Sequence, residues 1–202
     1  MKKIIAYSCL FLIILSSSLS CVKSGSKGKF PYYFSGTVNS QNVKYEADDI
    51  NSQYSCSISF PYTGSGLSYD IYEGTSLENQ NDPYKNEIEV LLLQHFNHYP
   101  DQTERKSMIQ LGNYGYGVGN VGTGINTVNG AVVRYLDTNG TEWSSEDGTQ
   151  TGSTFKITEL INNSSGFSAK IFTAQFSCKI YNTSGASIEI KNATIRGKAF
   201  LP

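Results

Sequence analysis

Histidine, tryptophan and methionine are almost missing from this 202-residue chain, which holds two, one and two of them. With His95 and His98 alone, a Ser-His-Asp triad has little to draw on. A zinc site needs more ligands than the two can supply. No Gly-Lys-Ser/Thr occurs, so no phosphate loop is present, and no Gly-x-Ser-x-Gly marks a nucleophile elbow. Charged residues make up 16% of the chain, with no long run of one sign. That argues against nucleic acid, whose binding is dominated by phosphate neutralisation, and leaves no polybasic patch for anionic lipid. Strong helix formers are scarce, whereas Tyr (14) and Gly (19) are plentiful beside Ser, Thr and Asn. Such a composition suits strands and turns.

The one long apolar run is residues 4–15, preceded by Lys2 and Lys3 and followed by Ser16, Ser17, Ser18, Leu19 and Ser20. It is shorter than the roughly 20 residues that span a bilayer. A basic start, a short apolar stretch and a small-residue exit describe a secretory leader. The exit runs into Cys21. Ser18-Leu19-Ser20-Cys21 resembles the lipobox of bacterial lipoproteins, where signal peptidase II cuts before a cysteine that carries a diacylglycerol. The family usually has an aliphatic residue three places before the cysteine; here Ser18 stands there and Leu19 comes one place late, a looseness common among Bacteroidota. The resemblance implies residues 1–20 as signal peptide, lipidation (palmitate or a similar acyl chain) at Cys21, and an outer-membrane address in the cell envelope. Each buried methylene would add about 0.8 kcal/mol to the anchor. Ordinary cleavage near Ser20, giving a secreted protein, is the alternative. Losing Lys2 and Lys3 takes 16 basic residues to 14 against 17 acidic, a net charge of −3.

Residues 21–30 read as a flexible Gly/Ser/Lys tether, and 31–202 as one all-β domain, large enough for its own core. Runs at 33–38 and 43–45 flank Asn39-Ser40-Gln41-Asn42 as a first hairpin. Strands follow at 53–60, ended by Pro61, and at 67–72, before a polar loop at 74–85. The apolar stretch 87–96 predicts a central strand. Residues 101–111 could form one or two helical turns capped by Asp101 or Thr103. Asn139-Gly140 predicts a hairpin between 131–136 and 142–144. Strands at 154–158, 167–181, 187–190 and 194–201 complete the chain, the last two around a turn at Lys191-Asn192. About ten strands with regular turns predict a single antiparallel β-sandwich, with a β-barrel as the alternative. The segments 34–45, 152–158, 176–182 and 188–197 resemble uncharacterised Bacteroidota envelope lipoproteins, which implies a β-rich domain and assigns no catalytic residue.

Cys56 and Cys178 each sit on the apolar face of an alternating run. They could pair, closing a loop of more than a hundred residues for roughly 3–5 kcal/mol, or stand as two buried thiols. Gly117-Val118-Gly119-Asn120-Val121-Gly122 matches a dinucleotide fingerprint in letters, yet no helix-forming segment follows it, so it reads as a surface loop. His95 and His98, near Asp101 and Glu104, are the metal candidates; otherwise they are polar residues where a strand meets a loop. Tyr62, Tyr69, Tyr72, Tyr99, Tyr114, Tyr116 and Trp143 lie in or beside loops, where aromatic rings suit sugars or protein partners. Tyr114, Tyr116 and Trp143 are the binding candidates. The reading is a lipid-anchored, non-enzymatic binding module for glycan or envelope protein, with no cofactor. A periplasmic structural lipoprotein and a metal-dependent enzyme are the alternatives.

Overall fold

Strands β1 (Tyr32–Val38) and β2 (Gln41–Ala47) are joined by Asn39-Ser40, both with positive φ (49° and 66°). The twist of such a turn matches that of the strands it joins. The computed structural model describes residues 31–48, 53–59, 61–65, 68–119, 127–162 and 169–200. The leader, Cys21 and the tether lie outside these residues.

The chain continues through β3 (Tyr54–Ser59), β4 (Tyr62–Ser65), β5 (Ser68–Asn79), β6 (Glu87–Phe96), α1 (Gln102–Met108), β7 (Gly112–Tyr114) and β8 (Gly130–Leu136). It ends with β9 (Glu142–Ser144), a 3-10 turn (Ser145–Asp147), β10 (Thr154–Asn162), β11 (Ala169–Tyr181) and β12 (Ser187–Phe200). Nine strands close into a barrel in the order β12-β1-β2-β3-β5-β6-β8-β9-β11, with β4, β7 and β10 outside the ring. The all-β expectation therefore holds in its barrel form. A sandwich would leave sheet edges; here β12 pairs with β1 on one edge and β11 on the other, and no gap is left between them. Two joints are thin: Ala47↔Tyr54 links β2 to β3, and Ser144↔Tyr181 links β9 to β11.

The barrel is flattened. β12 comes within 8 Å of β3 and β5, Cα to Cα. Gly197 allows this, since a Cβ there would lie 2.3 Å from Oγ1 of Thr75 on the facing wall. The interior is packed with side chains. Rings cross it in a column: Tyr54 stacks on Tyr45 (4.4 Å between centroids), then come Phe34 (5.7 Å), Phe176 (6.3 Å) and Phe155 (5.7 Å). Tyr114 and Tyr116 finish the column, each edge-on to Phe155 at 6.2 Å. Among the described residues, no helix is long and apolar enough to cross a membrane.

The central-strand expectation for 87–96 holds as β6. Ile88, Val90 and Leu92 face the barrel core, while Leu91 and Leu93 join Tyr72 and Val132 in a second cluster on the outer wall. Three expectations fail. The polar stretch 74–79 is strand, because β5 is paired on both edges, by β3 and by β6. Lys191-Asn192 does not separate two strands; it is a bulge within β12, with Asn192 at φ 50°. Tyr62–Ser65 forms the unexpected β4, which restarts after Pro61 and pairs with the first residues of β5.

Candidate binding surface

The expected binding aromatics mostly have structural duties. Tyr114 is half-buried; its hydroxyl accepts from Gln110 N (2.9 Å) and donates to Gln110 O (2.9 Å), tying the end of α1 to β7. The Tyr116 hydroxyl donates to Thr154 O (3.2 Å), and burial raises its pKa above the ordinary phenol value. Trp143 donates through Nε1 to Asp137 Oδ2 (3.1 Å). All three pack against the core. They form no platform, because the ends of the ring column and the β8–β9 turn take them up.

A different set of tyrosines reaches solvent together. Tyr62 on β4 and Tyr99 after β6 are 58% and 56% exposed. Tyr99 stands edge-on between Tyr62 (6.3 Å) and Tyr69 (5.4 Å). Pairing builds the cluster. Tyr62 lies opposite Ile71, and Gly64 opposite Tyr69, so these side chains share the barrel's inner face where β4 and β5 run past the ring. Gly64 is required there: its φ is 126°, and a Cβ would meet Ser68 O at 2.0 Å. Phe96, buried across from Tyr69, backs the cluster and lies 6.2 Å from the His98 ring. Rings offer apolar area at low entropy cost, and phenol hydroxyls keep their edges polar.

The two histidines do not converge on a metal. His95 points outward from β6, and its Nδ1 lies 2.7 Å from Asp70 Oδ1, directly opposite on β5. Thr127 Oγ1 donates to Asp70 Oδ2 (2.9 Å), and Asn129 Oδ1 accepts from His95 N (2.8 Å). This set clasps the segment before β8 to the wall. His98 pairs with Glu104 (2.8 Å). Glu104 closes the capping box of α1: Asp101 accepts from Thr103 N and Glu104 N, and Glu104 accepts from Asp101 N. The bond from Asp101 N, helped by His98, holds the Glu104 carboxyl below its ordinary range. Among the described residues, no group of three His, Cys, Asp or Glu could hold a metal. An Asp-His pair can orient an imidazole for proton transfer; the described residues place no hydrogen-bonded hydroxyl or thiol at His95 Nε2 to receive that help. Asp70 was out of reach of sequence reasoning because only strand register sets it opposite His95.

Cys56 and Cys178 are separate thiols and not a disulfide; Cys178 is buried as the second arrangement has it, whereas Cys56 is half-buried. Cys56 Sγ lies 3.4 Å from Thr75 Oγ1. Burial pushes the Cys178 thiol up to about 12, opposed by a hydrogen bond with Tyr116. Of the Gly-rich letters at 117–122, residues 120–122 lie outside the described residues; in the rest, Val118 bridges Val128, and Gly119 N donates to Glu146 Oε1 (3.0 Å). Glu146 also accepts from the Tyr72 hydroxyl (3.0 Å) and from Arg134 (2.9 Å), so Gly119 is fastened beside the outer cluster.

One ion pair is deeply set. Arg105 of α1 donates through Nε to Glu73 Oε1 (2.6 Å), and the Glu73 side chain is 1% exposed. Glu73 Oε2 has no hydrogen-bond partner. Desolvation raises the Glu73 pKa, against the pull of Arg105. With Met108 and Ile109 buried beside it, this pair seats α1 on the core.

No protein-family model, curated protein or solved structure matches this chain.

Proposed function

We propose that this protein is a lipid-anchored binding module of the bacterial cell envelope, held at the outer membrane through Cys21. Its barrel presents the Tyr62–Tyr69–Tyr99 cluster to a glycan or a protein partner. The observation that carries the reading is the exposure of Tyr62 and Tyr99 in edge-to-face contact with Tyr69. Stacked rings on a rigid wall can take up a sugar face or a partner's apolar side chain without first paying to order themselves.

The test combines a glycan array with pull-down from envelope extract, using the full chain and a Tyr62→Ala/Tyr99→Ala variant. The expected result is a ligand whose affinity falls about ten-fold or more in the variant, as befits an aromatic hot spot, at unchanged melting temperature. A ligand bound equally by both chains would overturn the assignment of the surface. Detergent phase partitioning checks the anchor: the wild-type chain enters the detergent phase and Cys21→Ser does not.

A further inference from the structure

We propose that the outer face of β10, β11 and β12 carries a second site, for an acidic saccharide. The exterior of a barrel is normally convex. Here it is hollowed, because the bulge at Asn192 bends β12, a second bulge lies between Ile157 and Glu159 of β10, and β10 with β7 leaves the ring. Bulges re-aim side chains in this way next to functional sites. The Asn192 bulge is fastened: its N–H donates to Ser177 Oγ (3.0 Å). The hollow measures about 450 Å³, within the range of small-ligand sites.

Its floor is a row in register across four strands, Asn113↔Lys156↔Gln175↔Thr194. At about 4.8 Å per strand the row is about 14 Å long, a ladder of amides and hydroxyls suited to successive sugar units. Lys156 stands in its middle as the single charged residue lining the hollow, with no carboxylate beside it. It has no ion-pair partner among the described residues. Hydroxyl and amide groups on both sides of one unneutralised ammonium select a polyhydroxylated ligand with a negative charge, a uronate-bearing sugar chain. Built on the reading of the barrel as a binding module, this gives that module a second surface and a ligand class.

The test is calorimetric titration of the full chain with a short oligogalacturonate and with its methyl-esterified, uncharged form. Lys156→Gln, Gln175→Ala and Tyr62→Ala/Tyr99→Ala are titrated alongside, each checked for an unchanged melting temperature. The expected result is saturable binding of the acidic form, weakened at higher salt. Removing the charge from either side, by Lys156→Gln or by esterification, should weaken it about ten-fold, the size of one charge-assisted hydrogen bond. Gln175→Ala should weaken binding less, and the tyrosine variant should bind as wild type. No saturable binding by the wild-type chain would overturn the site, as would equal affinity in Lys156→Gln. Binding lost in the tyrosine variant and kept in Lys156→Gln would also overturn it, while leaving the binding-module reading in force.

Discussion

Gly197→Ala tests the flattening of the barrel. The added Cβ would lie 2.3 Å from Thr75 Oγ1, 2.5 Å from its Cγ2 and 2.7 Å from its Cβ, where carbon atoms prefer about 3.5–4.0 Å. Thr75 cannot easily yield. It is fully buried, and its hydroxyl donates to Ser57 O (3.1 Å). Overpacking of this kind costs about 1–3 kcal/mol. Stiffening the unfolded chain by replacing glycine returns about 0.4–1 kcal/mol. The net expectation is a loss of about 1–2 kcal/mol, a fall in melting temperature of about 2–4 °C per kcal/mol at this size. Thr75→Ala alone should cost about 2 kcal/mol, from one hydrogen bond and one buried methyl. In the double variant the two nearest atoms are gone and the 2.7 Å contact remains, so the losses should fall short of additive by about 0.5–1 kcal/mol. Equilibrium urea unfolding reads this through Trp143, the single tryptophan. A Gly197→Ala chain as stable as wild type, with strictly additive effects, would mean that the two walls do not touch.

Glu73 makes a prediction about pH. Its folded pKa is raised above the ordinary 4.5, so its contribution is fully present below that value and is lost as pH rises through the folded pKa. The stability of wild type relative to Glu73→Gln should therefore fall with rising pH above about 4.5; a difference that is flat or rises would refute the desolvation account. Arg105→Met leaves that buried carboxylate unpaired and should cost about 3–5 kcal/mol in urea unfolding. Cys56 and Cys178 should both be countable as thiols after denaturation without reductant, and native Cys178 should resist iodoacetamide at pH 8; a 2 Da mass gain on reduction would instead reveal a disulfide. Asp137 accepts from Asn139 N (2.8 Å), Thr141 N (2.9 Å) and Trp143 Nε1, and although burial opposes them these bonds hold its pKa below 3.8. Asp137→Ala should cost about 1–3 kcal/mol at pH 7, and the wild-type advantage should fade as pH drops below 3.8.

Local chemistry was legible wherever a few neighbouring residues decide the structure. The first hairpin turns within the expected 39–42, at Asn39-Ser40 alone since Gln41 and Asn42 already pair in β2, Asn139-Gly140 turns where the letters predict, Asp101 caps α1, and the run at 87–96 is a strand buried on both faces, because turn, cap and burial preferences act over a handful of residues. The all-β class followed from composition. What needed the tertiary structure was every relation set by register and closure. Sandwich and barrel share the same alternating strands and differ in whether β12 finds partners on both edges. Lys191-Asn192 reads as a turn in isolation and is a bulge because β1 and β11 pair with β12 both before and after it. Tyr114 and Tyr116 look like loop aromatics until the ring column of the core reaches them, whereas Tyr62, Tyr69 and Tyr99 meet through the pairing of β4 with β5. The same holds for Asp70 opposite His95 and for the row through Lys156. Side-chain type is written along the chain, but which side chains stand across from one another is fixed by strand pairing between residues far apart in sequence.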